Sequence, residues 1–365
     1  MLVKKNIIIL HPTDEGACAF YRSNFMAALL QSSLSGEVQV ITSPVEITDD
    51  YVLQYTAAIV VYRPHTAEHE TLIQHYKRKR NRFKFRLFAD YDDLMFDLNG
   101  QHTIPEYNPI HVDTVEIGKR MERTLGDIDG VTVSTEWIRQ CMFERFGWTH
   151  VQLLPNAVPR YVFGQSVRAR ITEDLKKPVV LYAGSTCHFK EGNLGDFKGP
   201  WVPWLKKAVS EDRIELHLFH EVPGFLAEVK EKIVLHEYVS AVEFPSTIAA
   251  IRPDFYLAPL QDNAFNRAKS NLKLLEASAI GAVLIASGFA FSPYHESCIL
   301  SQIMPDETPE DLDMIFNNLC KSNYFNAVLG FQYGLMDEKH YWMDSKEYMA
   351  RWLRTYFGNS LKANF

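Results

Sequence analysis

One stretch of the chain, residues 254–287 (DFYLAPLQDNAFNRAKSNLKLLEASAIGAVLIAS), constrains the fold most. An apolar run beginning at Asp254 and a second beginning at Ala282 each have the length and composition of a buried strand. Between them, apolar residues recur at three- and four-residue spacing from Leu272 to Ile280, and Gly281 can end the helix that this spacing predicts. Two buried strands joined by a helix indicate a parallel sheet of the α/β class.

Polar and cationic residues lie immediately before this predicted helix, where Ser270 or Asn271 can cap it. A helix N-terminus presents free amides and a partial positive charge, so Arg267 and Lys269 placed there form a site suited to a diphosphate. Glu276 lies about a turn and a half inside the helix, where its carboxylate can accept hydrogen bonds from a ribose diol. The segment therefore predicts a nucleotide site. A capped surface helix with an exposed glutamate and two solvated cations is the alternative.

The second half of the stretch, KSNLKLLEASAIGAVLIAS, resembles the nucleotide-binding segment of GT-B glycosyltransferases, specifically family 4 and its bacterial and phage relatives. The resemblance implies two Rossmann-like, doubly wound parallel-sheet lobes that face a cleft, and it identifies Glu276 as the ribose-binding glutamate. It also implies that the donor diphosphate meets three backbone amides and one side chain: Ser270, Asn271, Leu272 and Lys269. The first glutamate of the family's motif falls on Ala268, which leaves the donor sugar and the anomeric outcome open.

Length and composition agree with a two-domain globular chain of 365 residues, 47% hydrophobic, with a net charge of −7. The resemblance implies an acceptor-side lobe at residues 1–165, a nucleotide-sugar lobe at 175–340, and a helix at 341–365 that crosses back to the first lobe. The five cysteines form no C-x-x-C pair, which is typical of reduced thiols. Apolar runs are too short for a signal peptide or a membrane span, so we expect a cytoplasmic protein.

The first half of the chain begins with a predicted strand at Lys5–Leu10, and further strands alternate with helices as in a doubly wound sheet. The loop after that first strand should face a cleft, because ligands of open parallel sheets bind at the carboxyl ends of strands. Gly16 permits close backbone approach there and is a candidate donor contact. Candidate contacts to the acceptor follow from the same placement: His11, Asp14, Tyr21 and Arg22.

Two charged clusters of the first half carry competing interpretations. Asp90, Asp92 and Asp93 follow a predicted strand and could bind a metal, act as a base, or hold sugar hydroxyls. Because GT-B enzymes as a class need no bound metal, the resemblance favours an acceptor-side carboxylate and no metal site. The run Lys77–Arg86 contains seven cations, which predict either a solvated helix end or a patch for a polyanionic acceptor such as DNA.

The second half opens with a predicted strand at Pro178–Ala183, followed by the small residues Gly184 and Ser185. Small residues after a strand let a phosphate or a sugar approach the backbone. By resemblance, this loop faces the donor diphosphate, Lys190 replaces the lysine often found beyond it, and His188 could touch the donor sugar. His236, Tyr238 and Val239 occupy the place of the nucleobase contacts in the family.

These features predict a glycosyltransferase that moves a sugar from a nucleoside-diphosphate donor, most naturally a UDP-sugar, to an acceptor hydroxyl. Arg267 and Lys269 would stabilise the charge on the leaving diphosphate, and no further cofactor is expected. By resemblance to family 4 the anomeric configuration would be retained. The acceptor is a glycan or, as in phage relatives, hydroxymethylated DNA. A sugar-nucleotide epimerase and a non-catalytic two-lobed binding protein are alternatives, and the oligomeric state is left open.

Overall fold

A computed structural model of the chain describes residues 6–12, 16, 19–33, 38–108, 111–163, 168–184, 188–189 and 193–358. Two parallel sheets organise these residues. The first sheet contains six strands: β1 (Ile7–His11), β2 (Gln39–Thr42), β3 (Thr56–Tyr62), β4 (Arg86–Tyr91), β5 (Gly130–Val133) and β6 (Val151–Leu153). Their spatial order is β2-β1-β3-β4-β5-β6. The central strands are buried on both faces, which explains their unbroken apolar runs.

The second sheet also contains six strands: β7 (Val179–Tyr182), β8 (Glu215–Phe219), β9 (Val234–His236), β10 (Phe255–Ala258), β11 (Val283–Ser287) and β12 (Gln302–Ile303). Their order is β12-β11-β10-β7-β8-β9, and every pairing is parallel. Counted from its own first strand, this is the three-two-one-four-five-six order of a dinucleotide-binding sheet. The predicted α/β class with two doubly wound lobes is confirmed.

Helices cover both faces of the sheets. Those of the first lobe are α1 (Phe25–Ser33), preceded by a π-helical turn (Phe20–Asn24), α2 (Asp50–Tyr55), α3 (Ala67–Phe83), α4 (Thr114–Leu125) and α5 (Glu136–Phe146). Those that follow are α6 (Trp201–Ser210), α7 (Phe244–Ile251), α8 (Ala264–Ala268), α9 (Leu272–Ile280), α10 (Pro309–Leu319), α11 (Ser322–Glu338) and α12 (Lys346–Phe357).

Two helices differ from the sequence predictions. The polar and cationic stretch before α9, where no helix was predicted, contains α8, because the Asn263 side chain accepts a hydrogen bond from the Asn266 amide and caps a short helix. No helix was predicted at α11. Its buried face (Phe325, Val328 and Leu329 among others) has helical spacing, but two glycines and several polar residues obscure that pattern in the sequence.

The last helix, α12, lies against the first sheet although it follows the second lobe in sequence. Trp352 and Phe357 are buried in a core shared with the first lobe, and Trp342 packs on the edge of that core. Tyr356 makes an edge-on contact with Phe88 of β4, with ring centroids 5.2 Å apart, and its hydroxyl lies 3.0 Å from the Thr132 hydroxyl of β5. The crossing helix is thus bound to the first lobe by both apolar packing and a hydrogen bond.

Acidic side chains pair with much of the basic run at the end of α3. Lys77 pairs with Asp127, and Arg80 lies 3.1 Å from Asp129. Lys79 and Arg82 both pair with one further carboxylate, that of Asp50, at 3.2 and 2.9 Å. These four cations are therefore partly neutralised by neighbouring carboxylates, as in an ordinary charged protein surface.

Within the described ranges, no helix is both long and apolar enough to cross a membrane.

Candidate functional site

A pocket of about 570 Å³ opens between the carboxyl ends of the two sheets. Both sheets contribute at the point where their strand order reverses, between β1 and β3 in the first and between β7 and β10 in the second. Ligands of open α/β sheets bind at this switch point, because the loops on either side diverge and leave a crevice. Twenty residues line it: Tyr21, Arg63, Asp92, Asp93, Asn156, Ala183, Gly184, His188, Phe219, His220, Tyr238, Val239, Ala241, Phe244, Lys269, Ser270, Leu272, Lys273, Glu276 and Tyr294.

The N-terminus of α9 supplies two cations to the pocket, Lys269 and Lys273. Lys273 was missed at the sequence level. Its ammonium donates to the Ala183 carbonyl at the end of β7 and lies over the rings of Tyr182 and Tyr256, 5.5 and 5.3 Å from their centroids. Burial lowers the pKa of Lys273 to about 8; Glu276 opposes this shift and Lys269 adds to it. The ammonium is thus held in a poorly solvated position, where a bound anion would stabilise its charge.

Glu276 lies at the base of the pocket and is 5% exposed. The Tyr21 hydroxyl from the first lobe donates to its Oε1 at 2.8 Å, and the Tyr256 hydroxyl donates to its Oε2 at 3.0 Å. Burial raises the pKa of Glu276, while Lys273 and the two hydroxyls oppose that shift. Each carboxylate oxygen can accept a further hydrogen bond, so Glu276 can still meet a pair of ligand hydroxyls.

Gly184 directly follows β7 and lines the pocket. A Cβ at this position would collide with the Tyr182 hydroxyl, so a larger residue would have to displace the buried Tyr182 ring. Its φ is not positive, and the requirement is therefore for space rather than for a left-handed conformation. The glycine keeps the backbone after β7 open to the pocket.

On the first lobe, Asp92 and Asp93 line the pocket as a pair held by one arginine, Arg63. The Arg63 guanidinium contacts the Asp92 carboxylate through Nε and lies 2.6 Å from Asp93 Oδ2 through Nη2. Arg63 has a φ of 43°, a left-handed conformation that is rare outside glycine. The strained arginine fixes two carboxylates at the edge of the cleft, where they can accept hydrogen bonds from hydroxyl groups.

Asp90 and Arg22, predicted as a catalytic carboxylate and an acceptor contact, lie behind the pocket wall instead. Arg22 Nε donates to Asp90 Oδ1 at 2.9 Å, and Nη2 donates to Oδ2 at 2.5 Å. The remaining Arg22 donor, Nη1, meets the Leu154 carbonyl at 2.6 Å and Asn156 Oδ1 at 3.0 Å. Arg22 is 4% exposed and Asp90 is 1% exposed. This placement favours a structural role, because a ligand could reach neither side chain without breaking the pair.

Four further candidates do not line the pocket. His11 is buried between the Ser43 carbonyl and the Tyr76 hydroxyl, at 2.7 and 2.8 Å, and burial lowers its pKa to about 4. Arg267 pairs with Asp262 at 2.6 Å. The side chain of Asn271 precedes α9 without capping it, and Gly16 likewise lies away from the lining.

Asp14, Ser185 and Lys190 lie outside the described residues. Which site residues contact the donor and which contact the acceptor stays a prediction.

The far end of the pocket is aromatic and apolar. Phe219, His220 and Phe244 line it together with Tyr238 and Val239, two of the three positions predicted to meet a nucleobase. The third, His236, is not among the lining residues. Beneath Phe219, the ring of His236 stacks at 4.9 Å with an interplanar angle of 24°. This end has the flat, apolar character that suits a heteroaromatic ring.

Among the described residues, no group of three or more His, Cys, Asp and Glu side chains is arranged to hold a metal ion.

No protein-family model matches the chain. No curated protein sequence matches it either. Solved structures do match it over nearly its full length. A glycosyltransferase from Rickettsia africae is 12% identical with a TM-score of 0.59, and the match covers 97% of this chain and 98% of that one. HepE from Anabaena, crystallised with UDP, is 9% identical with a TM-score of 0.57, covering 96% and 99% of the two chains.

The pneumococcal O-GlcNAc transferase GtfA, solved with UDP and GlcNAc, is 14% identical with a TM-score of 0.52. That match covers 82% of this chain and 56% of GtfA. At such low identities the likenesses establish architecture alone. They show that the chain has the GT-B fold, two Rossmann-like lobes facing a cleft.

Proposed function

We propose that the protein is a glycosyltransferase that uses a nucleoside-diphosphate sugar, with the donor held in the pocket of the second lobe. One observation carries the proposal: Lys269 just before α9, and Lys273 and Glu276 on its first two turns, line a pocket at the switch points of both sheets. The diphosphate would lie at the two cations and the free amides of α9. Glu276 would accept from the ribose hydroxyls, and the base would enter the aromatic end.

The charge arrangement suits departure of a nucleoside diphosphate. As the bond to the sugar breaks, negative charge grows on the leaving phosphate, and stabilising that charge is the main electrostatic demand of the reaction. Lys269 and Lys273 are placed to meet it from a partly desolvated position, where a fixed charge acts more strongly than in water. Lys273 thereby takes the role first predicted for Arg267, whose guanidinium is bound to Asp262.

The acceptor would bind on the opposite wall of the pocket, where Asp92 or Asp93 would orient or deprotonate its hydroxyl. A glycan acceptor agrees with carboxylates that accept hydrogen bonds from sugar hydroxyls. Retention of the anomeric configuration stays part of the proposal, on the strength of the resemblance to family 4. A UDP-sugar is the first donor to test, since HepE and GtfA, which share the fold, were solved with UDP. The pairing of the basic run with carboxylates provides no support for DNA as acceptor.

The proposal is tested by a thermal-shift screen of UDP, GDP, ADP, CMP and their sugars against the wild type and Glu276→Gln. Glu231→Gln is the matched control, because that glutamate has an exposed side chain in the same lobe. A ligand at a hundred times its Kd stabilises the folded state by about 2.7 kcal/mol, which gives a readily measured rise in Tm. We expect one nucleotide to stabilise the wild type and the control, with a smaller shift in Glu276→Gln.

Two results would count against it. If no nucleotide at millimolar concentration shifts the wild type, the donor site is refuted. If the best donor is converted to an altered sugar nucleotide with no acceptor present, the protein is an epimerase on the same fold instead.

A further inference from the structure

A buried carboxylate, Asp196, lies directly behind the pocket wall in a short 3-10 turn (Gly195–Phe197) and is 1% exposed. Four groups surround it. His188 Nδ1 lies 2.7 Å from Oδ2. Three donors meet Oδ1: Asn266 Nδ2 at 2.6 Å, the Tyr107 hydroxyl at 3.0 Å and the Gln261 backbone amide at 3.1 Å. Burial raises the pKa of Asp196, but the hydrogen bond to His188 and the other donors outweigh it and hold the pKa below its usual value. The carboxylate is therefore ionised and can only accept.

This ionised partner determines which nitrogen of His188 carries the proton. Because Asp196 Oδ2 can only accept, Nδ1 must donate to it. Burial lowers the pKa of His188, and although the hydrogen bond to Asp196 opposes that shift, the net displacement favours the neutral ring. A neutral imidazole that is protonated at Nδ1 has a bare Nε2, which is a hydrogen-bond acceptor. His188 lines the pocket, and Nε2 is the ring nitrogen that its bond to Asp196 leaves for a ligand.

Two buried polar atoms beside the same carboxylate also lack partners. Neither the Tyr182 hydroxyl nor Asn266 Oδ1 has a hydrogen-bond partner among the residues that the structure describes. Asn266 is bound to Asp196 through its amide nitrogen, and the Tyr182 ring packs against Phe197, the next residue along the turn, with centroids 4.7 Å apart. Buried polar groups in native proteins are nearly always paired, so among the described residues these two atoms retain the capacity for a further hydrogen bond.

We propose that Asp196 is a positioning residue that fixes His188 as a hydrogen-bond acceptor for a hydroxyl of the donor sugar. The inference rests on the proposed function and deepens it. Phosphate oxygens at neutral pH have no proton to donate, so the bare Nε2 cannot bind the diphosphate, whereas a sugar hydroxyl can donate to it. With the ribose assigned to Glu276, the hydroxyls left for His188 are those of the transferred sugar.

The same carboxylate also joins the two lobes. Tyr107 belongs to the first lobe, and its hydroxyl donates to Asp196 of the second across 89 positions of sequence. Tyr107→Phe removes this bond and leaves the pairing of His188 with Asp196 untouched. It therefore provides a control for the loss of packing or lobe contact at Asp196.

The test compares Asp196→Asn with Tyr107→Phe. An asparagine at position 196 presents an amide that donates to His188, so Nδ1 must accept and the proton moves to Nε2, which becomes a donor. The measurement is the Kd of UDP and of UDP-glucose and UDP-N-acetylglucosamine by titration calorimetry. In Asp196→Asn the sugar hydroxyl must turn to accept from Nε2–H and gives up the bond that it donated. We therefore expect the ratio of the UDP to the UDP-sugar Kd to fall by roughly three- to tenfold, with the Kd of UDP within about twofold of the wild type. In Tyr107→Phe the ratio should not change.

A second measurement reads the tautomer without any nucleotide, by nitrogen NMR of protein labelled with ¹⁵N-histidine. The His188 resonance is assigned by its absence in His188→Gln. We expect a proton on Nδ1 in the wild type and on Nε2 in Asp196→Asn. A wild-type ring that is protonated at Nε2 or doubly protonated overturns the inference, as does a sugar ratio that survives Asp196→Asn. A wild type that binds none of the probes refutes the proposed function and the inference with it.

Discussion

Replacing Asp90 with asparagine should destabilise the protein severely, because this carboxylate is one half of a buried ion pair. Its two oxygens receive Nε and Nη2 of Arg22, and the Thr132 hydroxyl donates to Oδ2 at 2.5 Å. Asparagine keeps the shape but loses the charge and one of the acceptors. The guanidinium would then lie buried beside a neutral amide.

The magnitude follows from what Arg22 retains. Removing one member of a buried ion pair typically costs roughly 3–5 kcal/mol, because the other charge is left uncompensated. Here Nη1 still meets the Leu154 carbonyl and Asn156 Oδ1, and asparagine offers one carbonyl oxygen. We therefore expect the lower end of that range, about 3 kcal/mol, against a total stability of roughly 5–15 kcal/mol for a typical protein.

Urea unfolding followed by circular dichroism measures this loss, and Asp93→Asn is the matched control. Asp93 also pairs with an arginine, but its side chain is 22% exposed and faces the pocket. We expect Asp93→Asn to lose less than about 1 kcal/mol of stability, since a partly solvated pair contributes little, and to lower acceptor-dependent turnover instead. The two aspartates, three positions apart, should separate into a stability phenotype and an activity phenotype.

A double-mutant cycle decides whether the pair carries the effect. In the background of Arg22→Met, the change Asp90→Asn should cost much less than it does in the wild type, because no buried cation is left. The reasoning would be refuted if Asp90→Asn unfolds within about 0.5 kcal/mol of the wild type while abolishing turnover. That result would return Asp90 to the catalytic role predicted from the sequence.

Two further predictions concern the donor side of the pocket. Lys273→Met should weaken nucleotide binding at neutral pH. Because the pKa of Lys273 is about 8, the affinity of the wild type for the nucleotide should fall as pH rises through that value and the ammonium loses its proton. Lys273→Arg should bind the nucleotide independently of pH from about 7 to 9. Calorimetry across this pH range measures both, and a pH-independent wild type would contradict the assignment. Tyr21→Phe and Tyr256→Phe each remove one hydroxyl from Glu276, and each should lower the free energy of unfolding by about 1–2 kcal/mol. Of the two tyrosines, only Tyr21 reaches across the cleft, so only Tyr21→Phe should show a larger radius of gyration in small-angle scattering. Equal radii for the two variants would show that the Tyr21 bond does not hold the lobes together.

The parts of the molecule that sequence reasoning could predict are those determined by local pattern. The buried strands and α9 follow from apolar spacing and from Gly281, and the pocket follows from parallel strands ending at one edge. Lys273 could also have been found, because it lies three residues before Glu276 on the same predicted helix and residues at that spacing share one face.

What could not be predicted depends on contacts between distant positions. A cation after a strand looks the same in sequence whether it faces a ligand or a buried carboxylate, and Arg22 meets its partner 68 positions away. Asp196 shows the same limit, because nothing near it in sequence indicates that Tyr107, Gln261 and Asn266 converge on it. The distinction between a site residue and a core residue here depends on tertiary packing, which local periodicity does not encode.

The crossing of α12 also bears on how the chain is made. The hydrophobic core of the first lobe includes Phe88 of β4 and Tyr356 of a helix more than two hundred positions later, and the Tyr356 hydroxyl is hydrogen-bonded to Thr132 of β5. Synthesis proceeds from the N-terminus, so when the first lobe emerges from the ribosome, the face that α12 covers is still exposed to solvent. Its folding is completed only when the second lobe has been synthesised and the final helix returns. The two lobes are therefore separate in architecture but not in biogenesis.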